Sequence, residues 1–302
     1  MRRFVIGTRG SRLALRQTAI VRDALTAIHP GVHIDVLEIR TAGDVSKAPL
    51  SEIGGAGVFT GAIEEALLDG RIDIAVHSLK DLPPRDTDGL LLAAIPARAD
   101  ARDALVTRSG ATLANLMAGA RVGTGSARRA AQLQLLRPDL VPVDIRGNVD
   151  TRIRKVDAGE YDAAVLALAG LERLGLAGRA AQVFSPDEMV PAVGQGCLAV
   201  QVRAADRDAR ALAEPIDDPP TRASAACERA FLARLGAGCR LPVGAYATVE
   251  ESTLRARAMI AVRDTIAVEE AKGAAGDAAR IGAALAEALI ARAGAGVVSA
   301  EP

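Results

Sequence analysis

Between residues 4 and 95, short apolar runs alternate with amphipathic stretches of helical period, and after Asp100-Ala101-Arg102-Asp103 the alternation begins again. Phe4–Ile6 reads as a strand. Leu13, Ile20, Val21, Ala24 and Ile28 then recur near the period of a helix, which Pro30 and Gly31 close. His33–Ile39 alternates as a strand, Val58–Leu68 reads as a helix ended by Gly70, and strands follow at Ile72–Val76 and Leu90–Ile95. The second run places strands at Ala104–Thr107, Ala120–Gly123, Val141–Ile145 and Ala163–Leu168, with helices around 127–136, 149–158 and 170–175. Such alternation covers both faces of a mostly parallel sheet. The fold class is therefore α/β, with two similar lobes around a cleft in the manner of periplasmic binding proteins.

A third region follows different rules. Cys197–Arg203 reads as one more strand, expected to return to the first lobe, and the acidic, proline-rich stretch from Glu214 to Pro220 reads as a linker. Beyond it come a helix from Thr221 to Leu235, strands at Val243–Val249, Thr253–Val262 and Thr265–Ala271, and a helix around 275–293. That order describes a small α+β domain with a three-stranded antiparallel sheet. The expected division is residues 1–96 with 197–214 as one lobe, 102–190 as the other, and 219–302 as the C-terminal domain.

Composition removes several functions. The 37 basic residues are balanced by 37 acidic ones, so any positive field is local rather than global. Aromatic residues make up 2% of the chain and Trp is absent, which leaves no platform for stacking bases. Cys197, Cys227 and Cys239 form no close pair and no zinc-site spacing, which fits a reducing compartment. The apolar run of Phe4-Val5-Ile6 stops at Gly7, short of a secretory signal, and no apolar stretch reaches membrane-spanning length without charges. These features lead to the expectation of a soluble cytoplasmic monomer with no nucleic-acid, membrane or metal partner.

Three arginine clusters fall where strands hand over to helices. They are Thr8-Arg9-Gly10-Ser11-Arg12, Gly123-Thr124-Gly125-Ser126-Ala127-Arg128-Arg129 and Arg146-Gly147-Asn148-Val149-Asp150-Thr151-Arg152. A helix N-terminus carries partial positive charge and unpaired N–H groups, so it disfavours cations. One arginine there is an ordinary solvated charge. Three clusters in equivalent places imply an anion rich in carboxylate or phosphate, bound beyond the carboxyl ends of the strands. Arginine suits bidentate recognition of carboxylates. Ser11 and Ser126 stand as N-caps of helices whose free N–H groups can also hold an anion.

The segment from Ile72 to Pro84 ends a buried strand with His77, Ser78, Lys80 and Asp81 in a row before two prolines. Polar residues at that end of a strand are more often functional than structural. Asp81 is the candidate acid/base or cation-stabilising carboxylate, its alternative being a salt bridge to Lys80 or an arginine. His77 reads as a buried histidine. Cys239 lies in Leu235-Gly236-Ala237-Gly238-Cys239-Arg240-Leu241-Pro242, an open loop in which Arg240 favours the thiolate. Composition leaves two readings equally open, a nucleophile and a small apolar side chain. Cys197 and Cys227 read as core. Pro191-Ala192-Val193-Gly194-Gln195-Gly196 is either a tight crossing between lobes or an ordinary loop.

Taken together, Ile6-Gly7-Thr8-Arg9-Gly10-Ser11, His77-Ser78-Leu79-Lys80-Asp81-Leu82-Pro83, Gly123 to Arg129, Arg146-Gly147-Asn148, Pro191 to Gly196 and Gly238-Cys239 resemble the motifs of porphobilinogen deaminase (hydroxymethylbilane synthase). They occur in family order and span nearly the whole chain. The resemblance implies a transferase of haem and related tetrapyrrole biosynthesis that joins four porphobilinogen molecules head to tail into hydroxymethylbilane and releases ammonia. It implies a dipyrromethane cofactor bound covalently, as a thioether, to Cys239, and held by Lys80, Asp81, Ser126, Arg128, Arg129, Arg146 and Gly147. Substrate would be bound by Arg9, Ser11, Ser78, Arg146, Arg152, Arg173 and Gln195. Each pyrrole carries two carboxylates and an N–H, and loss of ammonia creates a cationic azafulvene. One carboxylate can accept the N–H bonds, assist deamination and stabilise that cation, the role implied for Asp81.

The chain departs from the family pattern in one stretch. Glu52 and Ala56 stand where some relatives carry lysine, and Ala42 replaces a larger or polar residue. The Gly-rich segment around them reads as a lid whose closure rests on Phe59. A non-catalytic, two-lobed small-anion-binding protein shares the outline. Against it stand the missing export signal, the missing DNA-binding segment and the C-terminal domain bearing Cys239.

Overall fold

The computed structural model describes residues 3–41, 60–236, 242–262 and 265–293. In chain order the elements are β1 (Arg3–Thr8), α1 (Arg12–Ile28), β2 (His33–Glu38), α2 (Gly61–Leu68), β3 (Ile74–Ser78) and β4 (Leu90–Ala94). Next come β5 (Asp103–Thr107), β6 (Arg121–Gly123), α3 (Ala127–Leu136), β7 (Val141–Val143), α4 (Val149–Asp157), β8 (Ala163–Ala167), α5 (Leu168–Arg173) and β9 (Ala180–Val183). The chain ends with β10 (Leu198–Arg203), α6 (Arg207–Ala213), α7 (Pro219–Leu235), β11 (Val243–Glu250), β12 (Thr253–Val262), β13 (Thr265–Ala274) and α8 (Ala278–Ala293). No helix of the described residues is long and apolar enough to cross a membrane.

Two compact units result, one of Met1–Ala99 with Cys197–Arg222, the other of Asp100–Gly196 with Ala223–Pro302. The first holds a five-stranded sheet in the order β2-β1-β3-β10-β4. In it β1 runs parallel to β2 and β3, while β10 is antiparallel to both β3 and β4. The second unit repeats this plan as β7-β6-β8-β5-β9, with β6 parallel to β7 and β8, and β5 antiparallel to β8 and β9. Each sheet is thus mixed, with four strands running one way and a single reversed strand, β10 in the first and β5 in the second. The second unit also contains the antiparallel sheet β11-β12-β13.

Apolar periodicity explains the packing. In α1, Val21 and Leu25 lie one turn apart and join Ile6, Ile74 and Val200 in a core on one face of the first sheet. Ile63 and Leu67 of α2 cover the other face with Ile72 and Leu90. In the second unit Leu133 of α3 packs with Leu105, Val122, Val165 and Phe184, and Ile153 and Leu171 cover the opposite side. The C-terminal sheet buries Leu254 and Ile260 against Phe231 of α7 and Leu285 and Leu289 of α8. A smaller cluster of Val190, Met259 and Ala261 packs with Ala131 of α3, which explains why this sheet shares a unit with residues 100–196.

Three features differ from expectation. The strand β9 and the helix α6 are additional. The β9 sequence Ala-Ala-Gln-Val has too little alternation to announce itself, and it is fixed by pairing with β5 at the sheet edge. Asp206 starts α6, its side chain accepting a hydrogen bond from the Ala209 backbone at 3.1 Å. The segment read as a linker is ordered: a 3₁₀ turn covers Glu214–Ile216, and Pro219 and Pro220 sit in the first turn of α7. A proline there loses no hydrogen bond, because the first N–H groups of a helix have no partner in any case. The segment is pinned by Asp217, which accepts from the Ile95 backbone at 2.7 Å and from Arg222 Nε at 2.6 Å.

One contact tests the C-terminal packing directly. A side chain added at Gly282 of α8 would overlap the carbonyl of Cys227 in α7, and that obstacle is backbone that cannot swing away. Gly282→Ala is expected to destabilise the protein by at least about 2 kcal/mol, despite alanine's better helix propensity. Denaturant unfolding checks it, and a neutral or stabilising result refutes the close packing of α7 on α8.

Candidate active site

In the first unit, β1 and β3 are parallel neighbours, with Gly7 opposite Ala75, so their carboxyl ends emerge along one edge. Arg9 leaves from one and Ser78, Lys80 and Asp81 from the other. A 3₁₀ turn, Leu79–Asp81, closes β3. Leu79 and Leu82 are buried on either side of it, and the Leu79 N–H donates to the Cys197 carbonyl at 3.0 Å. Anchoring two leucines leaves the intervening Lys80 and Asp81 half-buried at the surface of the unit. Burial raises the Asp81 pKa above its ordinary value, and the charges of Lys80 and Arg9 oppose the rise.

Neighbouring polar groups hold this edge in place. Gln17 of α1, itself buried, donates from Nε2 to Ser78 Oγ at 3.0 Å. Ser11 caps α1, accepting from the Ala14 backbone at 3.2 Å. His77 is buried and its pKa is pushed down to about 4 by desolvation, with a hydrogen bond to Gln201 acting the other way. Its Nε2 has no hydrogen-bond partner. This is a neutral core histidine.

The second unit gathers the remaining cations. Arg128 and Arg129 stand in the first turn of α3, whose N-cap Ser126 accepts from the Arg129 backbone at 3.4 Å. Both guanidinium groups turn inward, to 4% and 6% exposure, and converge on Asp103 at the start of β5, which is fully buried. Asp103 accepts from Arg128 Nη1 at 2.8 Å and from Arg129 Nη2 at 2.6 Å and Nε at 3.1 Å. Gln195 completes the set, donating from Nε2 to Asp103 at 2.8 Å and to the Ala101 carbonyl at 2.7 Å. Arg129 Nη1 also binds the Val165 carbonyl at 3.0 Å, and Arg128 Nη1 the Val190 carbonyl at 2.7 Å. Burial alone would raise the Asp103 pKa, but the two guanidiniums outweigh it and hold the carboxyl well below the usual range. The trio retains one net positive charge.

Around this cluster, Arg146 is half-buried and Arg152 donates from Nε to the Gly147 carbonyl at 2.8 Å. Burial, Arg129 and Arg146 together push the Arg152 pKa down to about 10, with Asp144 opposing. Cations crowded in this way are relieved by an anion. Arg173 donates to the Gly196 carbonyl at 2.7 Å, and the Gly194 N–H donates to buried Glu228 of α7 at 2.7 Å. The other oxygen of Glu228 accepts from Ala247 of β11 at 2.8 Å. The Pro191–Gly196 segment is therefore held at three successive residues, Gly194, Gln195 and Gly196.

Sequence reasoning missed Asp103 and Glu228. The first had one signal, an acid at the first position of the fully apolar strand Ala104-Leu105-Val106. The second had none, being one acid on an alanine-rich helix. Cys239, Phe59, Glu52, Ala56 and Ala42 lie outside the described residues. Among the described residues no group of three or more His, Cys, Asp or Glu is placed to hold a metal ion.

Known proteins are similar to this chain over most of its length. Residues 4–211 match the family described as porphobilinogen deaminase, dipyromethane cofactor binding domain, and residues 223–291 match porphobilinogen deaminase, C-terminal domain. The porphobilinogen deaminase of Roseiflexus sp. (strain RS-1) is 53% identical over 95% of this chain and 95% of its own. That of Brevibacillus brevis is 44% identical over 100% of this chain and 98% of its own. Among solved structures, the periplasmic aliphatic sulphonate binding protein from Escherichia coli is similar at a TM-score of 0.41 and 16% identity, covering 77% of this chain and 70% of that one. With both matches in order along one chain, and relatives this similar end to end, the chain belongs to the porphobilinogen deaminase family.

Proposed function

We propose a division of labour among the residues of this chain for the reaction of its family, hydroxymethylbilane synthesis. The reaction joins four porphobilinogen molecules head to tail, releases ammonia at each addition and uses a dipyrromethane cofactor. Asp81 is the catalytic carboxylate. It accepts the pyrrole N–H of the substrate, stays within reach as the aminomethyl C–N bond breaks and ammonia departs, and stabilises the cation left on the substrate. A pyrrole α-carbon then attacks the methylene carbon, forming the new C–C bond, and its proton is lost. The observation that carries this assignment is a half-buried carboxylate with a raised pKa, flanked by Lys80 and Arg9. A group so placed takes up a proton more readily than an exposed aspartate.

The remaining residues bind. Arg9, Lys80, Arg146, Arg152 and Arg173 supply cations for the acetate and propionate groups, and Ser11, Ser78, Ser126, Gly147 and Gln195 supply neutral contacts. Arg128 and Arg129 act through the one positive charge that Asp103 leaves them. The cation crowding at Arg152 supports a polyanionic occupant such as dipyrromethane, whose carboxylates match this donor set. When bound, that group supplies the first nucleophilic pyrrole carbon. Cys239 is its thioether attachment point, and Phe59 closes the lid. The chain works as a cytoplasmic monomer divided into residues 1–96 with 197–214, 102–190 and 219–302.

Intact-mass measurement tests the assignment of Cys239. The purified chain is expected to carry an adduct of dipyrromethane mass that Cys239→Ala removes. A bare wild-type chain favours the small-anion-binding reading, and an adduct that survives Cys239→Ala moves the attachment elsewhere.

A further inference from the structure

Gln132 stands one turn after Arg128 in α3, so the two side chains share a face of that helix. Both are buried, and both meet the backbone of Val190, the residue before the Pro191–Gly196 segment. Gln132 grips Val190 twice. Its Oε1 accepts the Val190 N–H at 2.7 Å, and its Nε2 donates to the Val190 carbonyl at 3.2 Å. Nε2 also donates to the Arg128 carbonyl at 3.3 Å, which ties the amide back to the first turn of its own helix. The Val190 carbonyl in turn accepts from Arg128 Nη1 at 2.7 Å, and the same Nη1 donates to Asp103 at 2.8 Å. The C-terminal sheet confines this carbonyl further. Val190 packs with Met259 and Ala261 of β12, and a side chain on Gly244 of β11 would begin 3.0 Å from both the Val190 oxygen and Arg128 Cδ. Among the described residues Arg128 bonds through Nη1, and its buried Nε has no partner.

We infer that Gln132 is a positioning residue for the reaction, acting through the Val190 carbonyl to aim the Arg128 guanidinium. The inference rests on the binding role proposed above for Arg128. A side-chain amide carries an acceptor and a donor side by side, so it can hold the N–H and the carbonyl of one residue together. Val190 held in this way presents its carbonyl in one direction. With Nη1 spent on that carbonyl and on Asp103, the guanidinium has one orientation, and Nη2 is left as the donor for an occupant. Arg128 belongs to the group that holds the growing chain rather than the incoming ring. Its misplacement therefore appears in kcat and not in KM for porphobilinogen.

The test is a kinetic double-mutant cycle on the full-length enzyme, with Gln132→Met, Arg128→Gln and the two combined. Methionine keeps the length of glutamine and removes both its donor and its acceptor. Gln132→Met is expected to lower kcat about 10- to 100-fold, the cost of a small misplacement, with KM for porphobilinogen within about threefold. In the Arg128→Gln background the same change should cost less than about twofold, because the group it aims is gone. A glutamine that only supports the fold would reduce turnover by the same factor in both backgrounds. Losses that multiply in this way, or a Gln132→Met enzyme with normal kcat, overturn the inference. If Gln132→Met does not fold, Gln132→Glu takes its place in the cycle and the same outcomes decide. It keeps the acceptor for the Val190 N–H and removes only the donor. Normal turnover in Arg128→Gln would sink the binding role proposed for Arg128 and this inference with it. An impaired Arg128→Gln whose loss multiplies with that of Gln132→Met sinks the inference alone.

Discussion

Asp103→Asn is expected to destabilise the protein by about 3–5 kcal/mol, the usual cost of breaking a buried ion pair by removing one partner. The substitution keeps the shape of the side chain and removes its charge. Two guanidinium groups, at 4% and 6% exposure, then remain in the interior without a counter-ion. Arg129 is the more tightly committed, since its Nε, Nη1 and Nη2 are bonded to Asp103 and to the Val165 carbonyl. A loss of this size corresponds to a fall in Tm of about 6–20 °C for units of this length. The sign with pH follows from the depressed pKa of Asp103. Its contribution is fully present above the unfolded value near 3.8 and is lost as pH falls through the lower folded value. The wild-type protein should therefore lose stability below about pH 4 more steeply than Asp103→Asn. Removing a cation as well should recover part of the loss, so Asp103→Asn with Arg128→Gln should cost less than the two single changes added together. Denaturant unfolding of the four proteins checks this, and strict additivity with a loss below about 1 kcal/mol refutes the buried cluster as a unit.

That cluster also marks how far the sequence could be read. Local periodicity was sufficient wherever an element buries one regular face. The boundaries of α3 and β12 agree residue for residue with the sequence reading, and those of α1 and α4 differ by one residue at one end. The short edge strand β9 escaped, because four residues of Ala-Ala-Gln-Val are held by partners distant in sequence rather than by a pattern of their own. The one reversed strand in each sheet, β10 and β5, escaped for a related reason. Strand direction depends on which chain segment fills the gap beside β3 or β8, and no local pattern encodes that choice.

The arginine clusters were legible as positions but not as directions. Their residue types mark a concentration of charge near helix starts, yet whether a guanidinium faces outward depends on a partner elsewhere in the chain. For Arg128 and Arg129 that partner is Asp103, 25 and 26 residues earlier. Glu228 is similarly opaque, since its role lies in backbone N–H groups of Gly194 and Ala247, which carry no side-chain signature. The Asp81 segment was more readable. Two leucines and two prolines around Lys80-Asp81 constrain the turn locally, and the structure places it at the end of β3.

Asp81→Asn is expected to lower kcat by about three orders of magnitude, in the range of losses for a group that stabilises charge in the transition state. Asparagine keeps one carbonyl oxygen to accept a pyrrole N–H, so KM should stay within about threefold. The contrast with Asp103 makes this more than a routine carboxylate deletion. Asp103 has its charge satisfied by two arginines, and its pKa is held down. Asp81 has burial as the leading influence, with Lys80 and Arg9 only partly compensating, and its pKa is held up. A carboxyl with a raised folded pKa contributes stability below its unfolded value near 3.8 and loses it as pH rises through the folded value. At neutral pH the ionised Asp81 is therefore a cost to the fold, retained for the sake of the chemistry. Asp81→Asn should leave Tm at pH 7 unchanged or slightly raised while turnover collapses, and the gap should close on acidification toward pH 4. The wild-type pH profile of kcat/KM should show an acid limb above the ordinary aspartate value. Steady-state kinetics and thermal unfolding on the same preparations decide the matter. A destabilised variant would place Asp81 with Asp103 among the structural ion pairs, and a variant with near-normal turnover would remove it from the chemistry altogether.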